Sequence, residues 1–321
     1  DNANSGKDPN RPMASLAALL RAYDLDAGDV IYVDSGNYSL ATNIVLGSQD
    51  SGVTIKGALQ PGHASVLDRG NVNTGAYVFE LQGADDVSLE QLSITGGYGG
   101  IQAANGQDSD HLSVIDSRIW NNNYAISVDT SNDFFVLSGS VVEYSNNRGV
   151  YINGSDALIE GNEIARNSGW GVDISGARGR VLNNSVYANS SGGINASVNN
   201  GWGNRIVVQG NRAFDNGNGT NIAGYYTTEV RGNEVWGANY GITVYYGAQA
   251  MDNRAWGNTT GLYAYSGSLL QDNRTWANGT GITLYYSSTA QGNRVYGNSG
   301  AGVYVATYDN LVANNVIEAN G

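Results

Sequence analysis

DNRAWGNTTGL (252–262), DNRTWANGTGI (272–282) and GNRVYGNSGAGV (292–303) are three copies of one phrase. Each carries an Asn, a small or apolar residue two on, an aromatic three on and a second Asn five on. A Gly–aliphatic pair closes it. The anchors Asn253, Asn273 and Asn293 stand 20 residues apart. A phrase recurring at this period predicts a solenoid, because each unit can bury its apolar face only against its neighbours.

The same anchor position can be followed outward through Ser117, Ser140, Asn162, Asn184, Asn211, Asn233, Asn253, Asn273, Asn293 and Asn315, in steps of 20 to 27 residues. Three short strands and three turns fit such a step, with strands of successive coils pairing in parallel at ~4.8 Å. The 27-residue step holds SVNNGWGNR (197–205) and predicts a longer loop carrying Trp202. Stacked Asn side chains at equivalent turns can satisfy one another and nearby backbone groups along the axis. Asn is abundant, so triplets such as Asn153-Gly-Ser and Asn278-Gly-Thr read as composition and not as glycosylation sites.

Composition agrees with this reading. The chain has 321 residues, with 45 Gly and only 3 Pro, as frequent tight turns with positive φ require. Cys is absent, which excludes a disulfide framework and thiolate metal sites. A net charge of −13 argues against a nucleic-acid partner. No apolar run approaches the ~18 residues of a membrane span, so no membrane insertion is expected. The chain starts at Asp1 without a signal peptide and stops at NNVIEANG (314–321), midway through a coil. The expectation is a mature or excised fragment with flanking domains of a larger chain.

Residues 1–27 differ from the rest. Asn10 as a cap, Pro12 near the first turn, and Leu16, Leu19, Leu20 and Tyr23 at helical spacing predict a short amphipathic helix. Such an element would cap the open end of the solenoid. GDVIYVDSGNYSL (28–40) then reads as a strand and a turn, and in SGVTIKGA (51–58) Val53 and Ile55 alternate inward. This helix, followed by GDVIYVDSGNY and by VTIKGA closing on SVLDRG (65–70), resembles the opening of secreted right-handed parallel β-helix proteins. That superfamily includes pectate lyases and mannuronan epimerases. The resemblance covers nearly the whole chain. It implies an all-β right-handed parallel β-helix of about 20–23-residue coils over 28–321, one elongated domain behind a 1–27 cap. It also implies a secreted or cell-surface protein that engages polysaccharide along a strand face. The Tyr-Gly-x-Asp-Pro-His motif of the epimerases has no counterpart here. Neither do the calcium cluster and catalytic Arg of pectate lyases, so the resemblance carries the fold and not an activity.

Alternation assigns inside and outside. Ile164, Val186, Val235 and Val295 point inward. Their neighbours Tyr187, Phe214, Trp236, Trp256, Trp276 and Tyr296 form an outward aromatic column beside Arg212, Arg254, Arg274 and Arg294. A second outward column holds Tyr225, Tyr245, Tyr265 and Tyr285. Rings at strand spacing can stack for stability at about 0.5–1.5 kcal/mol per contact. They can also offer faces and hydroxyls to sugars, and both uses remain open here.

Candidate chemistry lies in the less regular coils. His63, His111, Lys7 and Lys56 are the only His and Lys residues, and none sits in a metal or nucleophile motif. The strands AISVD (125–129), GVYIN (149–153), GVDIS (171–175) and GINAS (193–197) predict an outward polar patch. It contains Asp129, Tyr151, Asn153, Asp173 and Asn195, rimmed by Arg148 and Trp170. Asp129 and Asp173 lie two coils apart, ~9.6 Å along the axis, a separation that side-chain reach can bring to an inverting hydrolase pair. Alternatively Tyr151 exchanges the proton of a lyase or epimerase, with Arg148 neutralising a uronate. The remaining alternatives are a solvated surface and a non-catalytic structural or adhesin module. No cofactor is required by any motif. Asp85-Asp86 and Asp108/Asp110 offer hard oxygens that admit calcium.

Overall fold

The computed structural model describes residues 1–58, 62–198, 204–217 and 219–321. Among these the chain forms three parallel sheets of 13, 13 and 12 strands, and every third strand in sequence returns to the same sheet. The first sheet opens with Val30–Tyr32, the second with Gly36–Ser39 and the third with Ile44–Gly47. The result is the expected all-β parallel solenoid. Its helix spans Leu16–Ala22, shorter than predicted, and its cap is Ser15, whose Oγ accepts from the Ala18 amide. Asn10 is not the cap; it is tied into a turn by Asp8.

The core is built from one inward column on each of the first two sheets and two on the third, where Val244, Ala264 and Leu284 form the second. Ile55, Leu89 and Val114 belong to the first, Ile164, Val186 and Val235 to the second, and Ile242, Leu262 and Ile282 to the third, all at 0% exposure. Each such side chain contributes about 1.5–3 kcal/mol of burial, realised only because a neighbouring coil covers it.

The repeated phrase has a backbone cause. Residues just before the anchor bend the chain between sheets in the left-handed region: Asp116, Gly139, Gly161, Asn183, Gly210, Gly232, Asp252, Asp272, Gly292 and Asn314 all have positive φ. Gly, Asn and Asp tolerate that conformation best. The anchor itself turns inward. Asn273 is 1% exposed; its Oδ1 accepts from the amide and Nδ2 of Asn253, and its Nδ2 donates to Ala250 O and Asn293 Oδ1. The same pattern runs from Asn162 to Asn315, so the predicted ladder exists and is interior.

A second ladder runs through the Asn five on, from Asn167 and Asn189 to Asn258, Asn278, Asn298 and Asn320. It explains the Gly of the phrase. A Cβ on Gly171, Gly261 or Gly281 would lie 2.7, 2.8 or 2.8 Å from the Nδ2 of Asn189, Asn278 or Asn298 in the next coil. Where Ala238 interrupts the ladder, Asn221 replaces the facing Gly. Asn221 Oδ1 accepts from Asn216 and its Nδ2 donates to Trp236 O. Where Ser145 stands in the ladder, Ala125 replaces the Gly. Side-chain volume is thus conserved across the seam.

Candidate functional site

The third sheet carries the polar patch and the tyrosine column on one outer face. Its register aligns Ser127, Tyr151, Asp173, Asn195, Ala223, Thr243, Tyr263 and Thr283 in one line. A parallel line pairs Ser197 with Tyr225, then Tyr245, Tyr265 and Tyr285.

The structure brings together six of the predicted patch residues in two hydrogen-bonded groups. In the first, Arg148 Nε lies 2.7 Å from Asp173 Oδ2, and Asn195 Nδ2 donates to Asp173 Oδ1 at 2.8 Å. The Arg148 guanidinium sits over the Tyr151 ring at 4.6 Å. In the second, Asn153 Nδ2 donates to Asp129 Oδ1 at 3.1 Å and to Tyr151 Oη at 2.7 Å, while Ser175 Oγ donates to Asn153 Oδ1. Tyr151 joins the groups. Asp173 has both oxygens engaged by donors, and Asp129 stands on the other line of the face. Trp170 lies flat against Gly192: a Cβ there would meet ring carbons at 2.3–2.6 Å. Trp202 lies outside the described residues.

The tyrosine region is wider than one column. Tyr226, Tyr246 and Tyr286, at φ 59°, 57° and 46°, form a further exposed row on one side of the column, and Tyr240 and Tyr263 lie on its other side. The signal was the doublet in GYYTT, VYYGA and LYYSS. It is easily passed over, because bulky residues rarely adopt positive φ. Tyr225 and Tyr245 stack at 4.8 Å and 12°, but Tyr245, Tyr263, Tyr265 and Tyr285 tilt against one another by 34–49°. Burial pushes the phenols of Tyr225 and Tyr245 up, and that of Tyr263 up to about 12, so they remain hydrogen-bond donors at neutral pH.

The other aromatic column lies on the second sheet. Tyr187, Phe214, Trp236, Trp256 and Trp276 stack at 4.4–5.0 Å with planes within 14°. Flat stacking covers ring faces and leaves edges outward, so this column offers no open face to a sugar. Arg212, Arg274 and Arg294 lie beside its rings. Upstream on this sheet, Glu143 is held by Arg118 at 2.7 Å and Arg166 at 3.3 Å, a cluster unforeseen in the sequence.

The other candidate residues take structural positions. Lys56 pairs with Glu90 at 2.7 Å. His111 stacks on Phe134 at 4.6 Å. Asp85 and Asp110 accept backbone amides of Asp110 and Asp133 in the following coils. Among the described residues no group of three or more His, Cys, Asp or Glu is placed to hold a metal ion. A concavity of ≈ 920 Å³ lies remote from the third sheet, in the seam between the N-terminal segment and the first coil. We assign it to imperfect packing of the cap. No described helix is long and apolar enough to cross a membrane.

Comparison with known proteins agrees with the fold. The family described as "Right handed beta helix region" matches residues 124–274, just under half of the chain. No curated protein sequence matches. Among solved structures, the catalytic unit of a thermostable alpha-1,3-glucanase from Streptomyces thermodiastaticus is similar at 14% identity and TM-score 0.66, over 93% of this chain and 64% of that one. An Azotobacter vinelandii mannuronan C-5 epimerase A-module is similar at 17% and 0.59, over 95% and 94%. PfbA, a surface adhesin of Streptococcus pneumoniae, is similar at 9% and 0.53, over 91% and 85%. At these identities the likeness is one of fold: the chain is a right-handed parallel β-helix, and proteins of this shape include polysaccharide-active enzymes and an adhesin.

Proposed function

We propose that this protein is secreted or displayed at a cell surface and binds an extracellular polysaccharide along the outer face of its third sheet. The observation that carries the reading is the continuity of that face. The network of Asp129, Tyr151, Asn153, Asp173 and Asn195 runs in register into the tilted tyrosines. The strand repeat of about 4.8 Å is comparable with the length of one pyranose unit, so successive sugars can meet successive coils. Asn and Ser amides and hydroxyls supply directional bonds, and tilted Tyr rings supply face area and donors. Arg148, Trp170 and the tyrosines Tyr225, Tyr245, Tyr265 and Tyr285 would line the path.

Electrophoresis through gels containing a panel of polysaccharides tests this. Retardation by at least one glycan supports the reading, and free migration through all of them refutes it.

A second reading, turnover of the bound chain, is favoured by the joining of Asp129, Tyr151 and Asp173 within one network. There Asp173, paired with Arg148, is placed for the base role, and Tyr151 for the proton exchange. Assays for new reducing ends and for unsaturated uronates report it. Asp173→Asn should abolish such turnover, and unchanged turnover removes Asp173 from the chemistry.

A further inference from the structure

We infer that the polymer recognised by this face is a neutral, hydroxyl-rich glycan and not a polyuronate. The inference rests on the binding reading above and names its substrate class. It starts from where charge is absent. The strands Thr220–Tyr225, Tyr240–Tyr245, Thr260–Tyr265 and Thr280–Tyr285 read TNIAGY, YGITVY, TGLYAY and TGITLY, without one charged residue. This occurs in a chain with 16 basic and 29 acidic residues.

Among the described residues of the polar patch, the one cation is Arg148. It is already neutralised by Asp173 at 2.7 Å and covered on one side by Tyr151. Asp129 makes no ion pair among the described residues, so the patch as a whole keeps one negative charge in excess. A polyuronate would bring a carboxylate with each sugar. Each would lose part of its hydration against tyrosine rings with no cation to replace it, and burying an unpaired charge is strongly unfavourable. The Asp129 carboxylate would add repulsion, screened only beyond about 10 Å at 0.1 M salt. Hydroxyls meet no such penalty, because Thr, Tyr, Asn and Ser both donate and accept.

The basic residues lie elsewhere in these coils. Arg212, Arg254 and Arg294 occupy the second sheet, where Glu234 and Glu318 pair with them. The fold therefore keeps its cations away from the tyrosine face.

The test compares neutral polymers (a mixed-linkage glucan, a xylan, an α-glucan) with polygalacturonate and alginate in affinity gels at low and high salt. The wild type is compared with Tyr245→Ala/Tyr265→Ala. The expected result is retardation by a neutral polymer, changing less than about twofold with salt, and lost in the tyrosine variant. A polyuronate bound more tightly than any neutral polymer, weakened by salt and lost in the tyrosine variant, would overturn the inference and leave the binding reading standing. A polyuronate whose retention survives in the tyrosine variant but falls in Arg254→Ala/Arg274→Ala would overturn both, placing recognition on the second sheet. Retention of nothing would also overturn both.

Discussion

The same C-terminal coils carry two aromatic faces that behave differently. On the second sheet, Trp236, Trp256 and Trp276 stack nearly parallel at 4.8 and 5.0 Å. On the third, Tyr245, Tyr263, Tyr265 and Tyr285 tilt by 34–49°. Strand spacing is common to both, so the difference comes from neighbours. The Trp column has Arg beside it, with the Arg212 and Arg274 guanidinium carbons 5.5 and 6.0 Å from the Trp236 and Trp276 ring centres. The Tyr column has more Tyr beside it. Tyr265 meets Tyr246 and Tyr286 edge-on at 84° and 78°, as the ring quadrupole favours. Stacked rings spend their faces on one another; tilted rings leave some of theirs to a ligand. On the proposed reading, one face stabilises the solenoid and the other serves recognition.

The comparison breaks most completely if the interior fails, since both faces hang on it. Asn273→Ala strands the Asn253 amide and the Ala250 carbonyl in the core. A loss of about 3 kcal/mol or more is expected, at 1–3 kcal/mol for each unsatisfied group. Urea midpoints measure it. A change under about 0.5 kcal/mol would mean that the ladder is not a source of stability.

A smaller effect tests whether the seam is a matched set. Ala238→Asn alone should crowd Asn221, and Asn221→Gly alone should leave Asn216 short of a partner, each costing about 1–2 kcal/mol. The double variant rebuilds the regular ladder and should recover most of the loss. Additive losses in the double-mutant cycle would deny the coupling.

A third effect is in pH. Tyr263 ionises near 12 when folded because burial disfavours the phenolate, against 10 unfolded. Between these values the unfolded chain loses the proton first, so the folded state is destabilised as pH rises from about 10 to 12. Below 10 this group adds no pH dependence. No contribution from Tyr263 across that window, read as the same pH dependence in Tyr263→Phe, would place its phenol in solvent.

Much of the fold was legible in the sequence. The anchors Asn253, Asn273 and Asn293 set the coil, and alternation placed Val235 inside and Trp236 outside as found. The helix cap was misread because Asn10 and Ser15 are both good caps and only tertiary packing selects one. Alternation along the strands placed the patch residues on one face but did not specify their pairing. That Arg148 turns onto Asp173 depends on side-chain rotamers across two coils, which no spacing encodes. Tyr226, Tyr246 and Tyr286 escaped because bulky residues rarely adopt the positive φ they have here.

The central claim is that the two faces divide stability and recognition between them. Affinity for the retained glycan, measured beside urea midpoints for Tyr245→Ala/Tyr265→Ala and Trp256→Ala/Trp276→Ala, tests it directly. The account predicts that the tyrosine pair loses about tenfold or more in affinity, some 1.4 kcal/mol, with a midpoint near wild type. The tryptophan pair should bind as wild type while losing about 1–3 kcal/mol of stability. Glycan binding lost with the tryptophans and kept without the tyrosines would contradict it.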